Sequence, residues 1–228
     1  MKRINGRNIV TDFSAYGDYP VKTVNFDLID PNAVPFRYKW AIDIIQNLRN
    51  ASIISYNTLD IGASDGTLGA MIARMTIDPN ADNSNTPTVE IIESYPPAVI
   101  ACEEIAKVVR ERGFKMRVYN ITFEDFKSDK KYDVITAFEV LEHTRDPFFC
   151  IEKIYDLLDI GGRVMVTVPE EHGFFGITDK NPFHLWTATA QSLVSTLFYD
   201  DRKWHIEQMF DSGGILHVCA KKLSYMGC

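Results

Sequence analysis

Two clusters in this chain have residue types and spacings that can do chemistry. The first is Leu59-Asp60-Ile61-Gly62-Ala63-Ser64-Asp65-Gly66-Thr67-Leu68-Gly69, an apolar run that ends in an acid and a glycine-containing turn. Gly62 permits a backbone shape barred to other residues and lets a ligand approach the main chain. Asp60 offers a carboxylate suited to an ammonium group, directly or through water. Glu93 closes a second run, Val89-Glu90-Ile91-Ile92, at the position where an acid accepts both ribose hydroxyls of a nucleoside. It lies farther from Asp60 than the ~20 positions expected, and the polar stretch Thr76 to Thr88 accounts for the excess.

The second cluster is Phe138-Glu139-Val140-Leu141-Glu142-His143. If this opens a helix, Glu139, Glu142 and His143 stand at i, i+3 and i+4 and share one face. Three roles are open to them. His143, with an ordinary pKa near ~6.5, can take a proton from a substrate hydroxyl at neutral pH. Two carboxylates and an imidazole, joined by the later His184, suit Mg²⁺, Mn²⁺ or a similar ion. Alternatively the carboxylates line or cap a pocket and His143 hydrogen-bonds the backbone. Spacing does not choose among the three.

Such groups need elements that hold them at one end of a sheet. Thr58 to Ile61 reads as a short strand, Thr67 to Met75 as a helix, Val89 to Ile92 as a strand and Ala98 to Arg112 as a helix with Ile105, Val108 and Val109 inward. Arg117 to Ile121 and Asp133 to Ala137 read as strands. Phe148 to Leu158 reads as a helix stopped by Gly161-Gly162 in a left-handed cap. Arg163 to Val168 is a further strand and Thr187 to Leu197 a further helix. His205 to Phe210 and Ile215 to Ala220 form a hairpin about Asp211-Ser212-Gly213-Gly214. Strands alternating with helices require parallel crossovers, and ligands in such sheets bind beyond the carboxyl ends of the strands. Before this region, Phe36 to Leu48 carries Trp40, Ile44, Ile45 and Leu48 at helical spacing. The first ~35 residues have no clear period and read as an arm. The expected division is residues 1–50 as arm and helix forming a lid, and 51–228 as the binding domain.

Composition narrows the partners. The 228 residues are 46% apolar and 24% charged with a net charge of −7, the balance of a globular protein with no overall attraction for nucleic acid. The four cysteines show neither disulfide-scaffold density nor zinc spacing. No apolar run approaches the ~20 residues of a membrane helix. Met1-Lys2-Arg3 leads into polar residues rather than a signal-peptide core. A cytoplasmic protein with a small-molecule acceptor, no membrane association and no nucleic-acid partner is expected.

With LDIGASDGTLG, the acid at Glu93, YDVITAFEVLEHTRDP and GGRVMVTVP in this order, the chain resembles the class I S-adenosylmethionine-dependent methyltransferases from about Asn57 to Lys221. The resemblance implies an α/β, doubly wound, Rossmann-like fold: a mostly parallel seven-stranded sheet with a C-terminal antiparallel hairpin. It implies S-adenosylmethionine as cofactor, with Asp60, Gly62, Ala63, Ser64 and Gly66 near its methionine end. Glu93 and Ser94 would lie on the ribose, and Thr122, Phe123 and Phe138 would complete the contacts. Ser64 stands where many members have glycine. Thr122 replaces a common aspartate, so Asn120 or Glu124 could serve the adenine instead.

The Glu-x-x-Glu-His pattern is similar to the metal-assisted O-methyltransferases of ubiquinone biosynthesis and of small-RNA ribose ends. That implies O-methylation of a hydroxylated small molecule or sugar, with His143 and Glu139 nearest the chemistry. Glu139, Glu142, His143 and His184 are then the ligand set for Mg²⁺ or a similar ion. Ribose methylation of RNA, or a non-catalytic cofactor-binding protein, is the alternative. Arg37 and Tyr38 are read as rim or cofactor contacts. His172 is read as a solvated loop residue or a substrate contact, and Phe174, Phe175, Phe183 and Trp186 as a substrate wall or lid or as simple packing.

Overall fold

The computed structural model describes residues 3–4, 7–8, 21, 24–30, 32–50, 56–75, 88–170 and 184–224. The loop from Thr76 as far as residue 87, most of the N-terminal arm, and His172, Phe174, Phe175 and Phe183 lie outside them. In chain order the strands are β1 (Arg3–Ile4), β2 (Arg7–Asn8), β3 (Thr58–Ile61), β4 (Thr88–Glu93), β5 (Lys115–Asn120), β6 (Tyr132–Phe138), β7 (Leu158–Pro169), β8 (Trp204–Asp211) and β9 (Ile215–Lys222). The helices are α1 (Phe36–Asn50), α2 (Thr67–Met75), α3 (Pro96–Glu111), α4 (Pro147–Leu157) and α5 (Ala190–Leu197). The main sheet has seven strands in the order β5-β4-β3-β6-β7-β9-β8. It is the mostly parallel, helix-flanked sheet with an antiparallel C-terminal hairpin that the resemblance implies. The chain divides into two compact units, 21–136 and 1–20 with 137–228.

In the unit 21–136, β3, β4 and β5 run parallel, with Asp60 opposite Ile91 and Glu93 opposite Asn120. All four residues of β3 and five of six in β4 are buried, the near-continuous apolar pattern of strands covered on both faces. Helix α3 starts on two prolines, where a missing N–H costs nothing. It buries Ala98, Ala101, Cys102, Ile105, Ala106 and Val109, while Val108 is only half-buried, against the expectation.

Two glycines bring α2 close to its neighbours. A Cβ on Gly66 would meet Ile105 Cγ2 at 2.8 Å, and one on Gly69 would meet Ile91 Cγ2 and Met116 Cε at 3.0 Å each. Gly66 thus relieves contact with α3, while Gly69 lets α2 pack closely on β4 and β5. Ahead of α1, Phe26 is buried edge-on to Phe114 at 6.0 Å. The Arg74 guanidinium stands 5.4 Å from the Phe26 ring centre, and Asp27 pairs with Arg112.

In the other unit, β9 lies antiparallel to β7 with Thr167 opposite His217, and β8 pairs with β9 through an irregularity at Ile206/Gln208. Helix α4 is capped by the Asp146 carboxylate, which accepts from Phe149 N–H at 2.9 Å. Gly161-Gly162 does not cap it. The helix ends at Leu157 because Leu158 turns extended. Strand β7 begins there, so Gly161, at φ +82°, is a bend within the strand. The last helix also starts later than expected, at Ala190, because the Thr189 side chain accepts from Ser192 N–H and the Ser192 side chain from Thr189 N–H.

Candidate functional site

The glycine turn after β3 is held by its neighbour strand. Gly62 N–H donates to Ile92 O at 2.8 Å and Ala63 N–H to the same oxygen at 3.3 Å. The chain then takes φ +68° at Gly62, +55° at Ser64 and +75° at Gly66. A left-handed Ser64 explains why glycine suits this place, since a Cβ there is disfavoured. Ser64 N–H points at Glu93 and donates to Oε2 at 2.8 Å. The other carboxylate oxygen accepts from Ser94 N–H at 2.8 Å and Tyr95 N–H at 2.9 Å. Glu93 therefore tethers the turn and the two residues that lead into α3 at once. Its burial raises its pKa, with the three N–H donors opposing.

Asp60 is 3% exposed, and its Oδ1 accepts from the Thr136 hydroxyl at 2.6 Å. Burial pushes its carboxyl up to about 7; the Thr136 bond opposes this and the charges of Glu93 and Asp65 add to it. Tyr38 of α1 belongs to the same neighbourhood. Its phenol is held well above the usual range, first by burial and then by Asp65 and Asp60. The Arg37 guanidinium lies 5.3 Å from the Tyr38 ring centre. After β5, the Thr122 hydroxyl donates to Asp125 Oδ2 at 2.9 Å and Phe123 is buried. Ile121 N–H donates to the Glu93 carbonyl at 3.1 Å, which ties this turn to the acid. Gly62, Ala63, Ser64, Gly66, Glu93 and Ser94 thus form one hydrogen-bonded corner, with Asp60 immediately before it on β3.

The second group lies in 137–228. Residues 141–143 form a single 3-10 turn rather than the start of an α-helix, so Glu139 does not share a helical face with Glu142 and His143. The structure instead brings Glu142, His143 and His184 together, with one ligand atom from each lying within 4.8 Å of the others. The two imidazoles meet edge to face at 5.1 Å between ring centres. Leu185 N–H donates to the Glu142 carbonyl at 2.7 Å, which pins the 184–186 segment on the turn. Glu142 is 1% exposed; a carboxylate so deeply buried costs several kcal/mol unless positive charge or hydrogen bonds answer it. A carboxylate oxygen and two imidazole nitrogens suit a divalent ion of the Mg²⁺ to Zn²⁺ range.

Glu139 sits outside that trio, at φ +56°. Its N–H donates to Thr167 O at 3.0 Å and its Oε1 accepts from the Thr167 hydroxyl at 3.0 Å. Phe138 and Trp186 are buried. Sequence reasoning did not single out Thr136, Thr167 or the packing role of Gly69. Each is an ordinary strand or helix residue whose partner comes from elsewhere in the chain.

The strand order and the antiparallel C-terminal hairpin are those of the class I methyltransferase fold. Residues 59–164 match the methyltransferase-domain family model. The ubiquinone biosynthesis O-methyltransferase of Rickettsia felis is 26% identical over 112 residues, covering 49% of this chain and 40% of that protein. The enzyme of the same name from Pseudomonas savastanoi pv. phaseolicola is 27% identical over 151 residues, covering 65% and 53%. The chain spans about half the length of the curated relatives it matches. Among solved structures, the 1,6-didemethyltoxoflavin-N1-methyltransferase of Burkholderia thailandensis, with that compound and S-adenosylhomocysteine bound, is similar at a TM-score of 0.62 and 16% identity. The match covers 87% of this chain and 83% of that one.

Proposed function

We propose that the protein is an S-adenosylmethionine-dependent O-methyltransferase of a hydroxylated small molecule or sugar, and that its reaction is metal-assisted. The observation that carries the acceptor chemistry is the Glu142–His143–His184 trio, whose ligand atoms lie within 4.8 Å of one another. The cofactor half is supported by Asp60 and the tethered corner of Ser64 and Glu93. When bound, the sulfonium supplies an electrophilic methyl group, and a divalent ion supplies Lewis acidity to adjacent oxygens of a diol or catechol.

The chain's own residues do the rest. Asp60, ionised, answers the cationic methionine end. Glu93 accepts the ribose hydroxyls while its three backbone donors hold the carboxylate still. Thr122 and Phe123 serve the adenine. Glu142, His143 and His184 would hold the ion, and Glu139 would be the base that takes the acceptor's proton. Proximity and deprotonation are most of what such a step requires.

Calorimetry with S-adenosylmethionine and S-adenosylhomocysteine, followed by turnover of catechol, pyrogallol and methyl glucoside, tests the reading. Binding of both nucleosides and methylation of the vicinal hydroxyls are expected. Chelation should abolish turnover, and Mg²⁺, Mn²⁺ or Zn²⁺ should restore it. Turnover that survives chelation returns His143 to the role of metal-free base, and no heat with either nucleoside ends the proposal.

A further inference from the structure

Among the described residues, two that are not glycine adopt positive φ, Ser64 at +55° and Glu139 at +56°. Both follow a sheet strand, β3 or β6, and both lie in the segments that carry the candidate chemistry. A left-handed conformation costs an L-residue roughly 1–2 kcal/mol, and it persists only where the surroundings over-determine it. For Ser64 the determining contacts are the Glu93 carboxylate and the Cys102 thiol, which bonds Ser64 O at 3.3 Å. For Glu139 they include three hydrogen bonds to one residue, Thr167.

Thr167 is fully buried near the end of β7. Its carbonyl accepts Glu139 N–H at 3.0 Å, its hydroxyl oxygen accepts the same N–H at 3.2 Å, and its hydroxyl proton goes to Glu139 Oε1 at 3.0 Å. A hydroxyl has one proton, so donation to Oε1 and acceptance from the N–H close a ring that orients backbone and carboxylate together. Oε1 accepts the Thr167 hydroxyl proton, which fixes the plane and direction of the carboxylate. The threonine is itself constrained. It is β-branched, which narrows its rotamers, and it stands cross-strand from His217. The His217 ring stacks on Phe210 at 4.7 Å and 7°, with its Nδ1 2.9 Å from Ile215 O.

We infer that Thr167 is a positioning residue: its hydroxyl and carbonyl hold Glu139 in a left-handed conformation and fix the orientation of its carboxylate for the proposed proton transfer. The inference rests on the proposed methyl transfer for its catalytic meaning, but its geometric content can be tested separately.

The experiment compares Thr167→Val, Thr167→Ala and Thr167→Ser with the wild type. Crystal structures report the position of Glu139, and turnover is measured with S-adenosylmethionine and catechol. Valine is close to threonine in shape, and alanine serves if valine does not fold. Expected is a Glu139 carboxylate rotated away from its wild-type place in the valine and alanine variants. Their kcat should fall on the order of 10- to 100-fold, the worth of a hydrogen bond to a charged group, with KM for S-adenosylmethionine within about twofold. Serine should keep the carboxylate in place and recover most of kcat. An unmoved carboxylate in the valine variant, or a serine variant as slow as valine, overturns the inference alone. A wild type that methylates none of the hydroxylated probes removes the reading of the site, and the catalytic role of Thr167 falls with it.

Discussion

Burial pushes the Asp60 carboxyl up to about 7 against the pull of the Thr136 hydroxyl, so near neutrality the side chain is divided between its two protonation states. The unfolded chain, at the ordinary value of 3.8, gives up this proton earlier. Between about pH 4 and 7 the folded state therefore binds more protons, and Asp60 makes stability fall as pH rises. Urea midpoints should show wild type losing ground to Asp60→Asn across that window and running parallel to it above. A cationic ligand favours the ionised form, so nucleoside binding at pH 6 to 7 should release a proton. Calorimetry in buffers of different ionisation enthalpy reads that release, which Asp60→Asn should abolish. At Ser64, glycine removes the left-handed penalty but adds unfolded-state freedom. Ser64→Gly should stabilise by about 0.5–1 kcal/mol in chemical denaturation, with the turn unchanged. The acids were legible in the sequence because strand ends followed by glycine are a local signal. Thr136 was not, since nothing within β6 says that its hydroxyl meets an acid 76 positions away.

Helix α2 shows how far packing depends on partners that no local pattern names. At Gly66 a methyl group meets both the left-handed backbone, φ +75°, and Ile105 Cγ2 at 2.8 Å. Gly66→Ala should destabilise by about 2–5 kcal/mol, the sum of a left-handed penalty and overpacking, measured by urea unfolding. The strands and helices themselves were largely readable, because period-2 and period-3.6 apolar patterns are local. Besides the later start of α5, two departures have identifiable reasons. Leu158 became extended and joined β7, which took Gly161 out of its expected capping role. The segment after β6 made one 3-10 turn, its Glu139 drawn off by Thr167, and the shared helical face did not form.

Under the proposed function, nucleoside occupancy at the buried strand ends should stabilise the fold. At roughly a hundred times Kd, S-adenosylhomocysteine should add about 2.7 kcal/mol, a Tm rise of roughly 5–10 °C for a chain of this size. With a net charge of −7, turnover of a small acceptor should change less than about twofold between 50 and 200 mM salt, where a phosphate-tracking protein loses about 10³-fold or more. Among the described residues no helix is long and apolar enough to cross a membrane.

Residue order alone carried the alternating strand and helix plan, the acids at two strand ends and the Glu-x-x-Glu-His run, because these are encoded within a few neighbouring positions. Which of those side chains meet was decided by the folded chain. His184 reaches Glu142 and His143 through a backbone bond from Leu185, and Glu139 turns instead to Thr167. Contacts between residues distant in the chain depend on how the elements pack, and spacing along the chain carries no record of that.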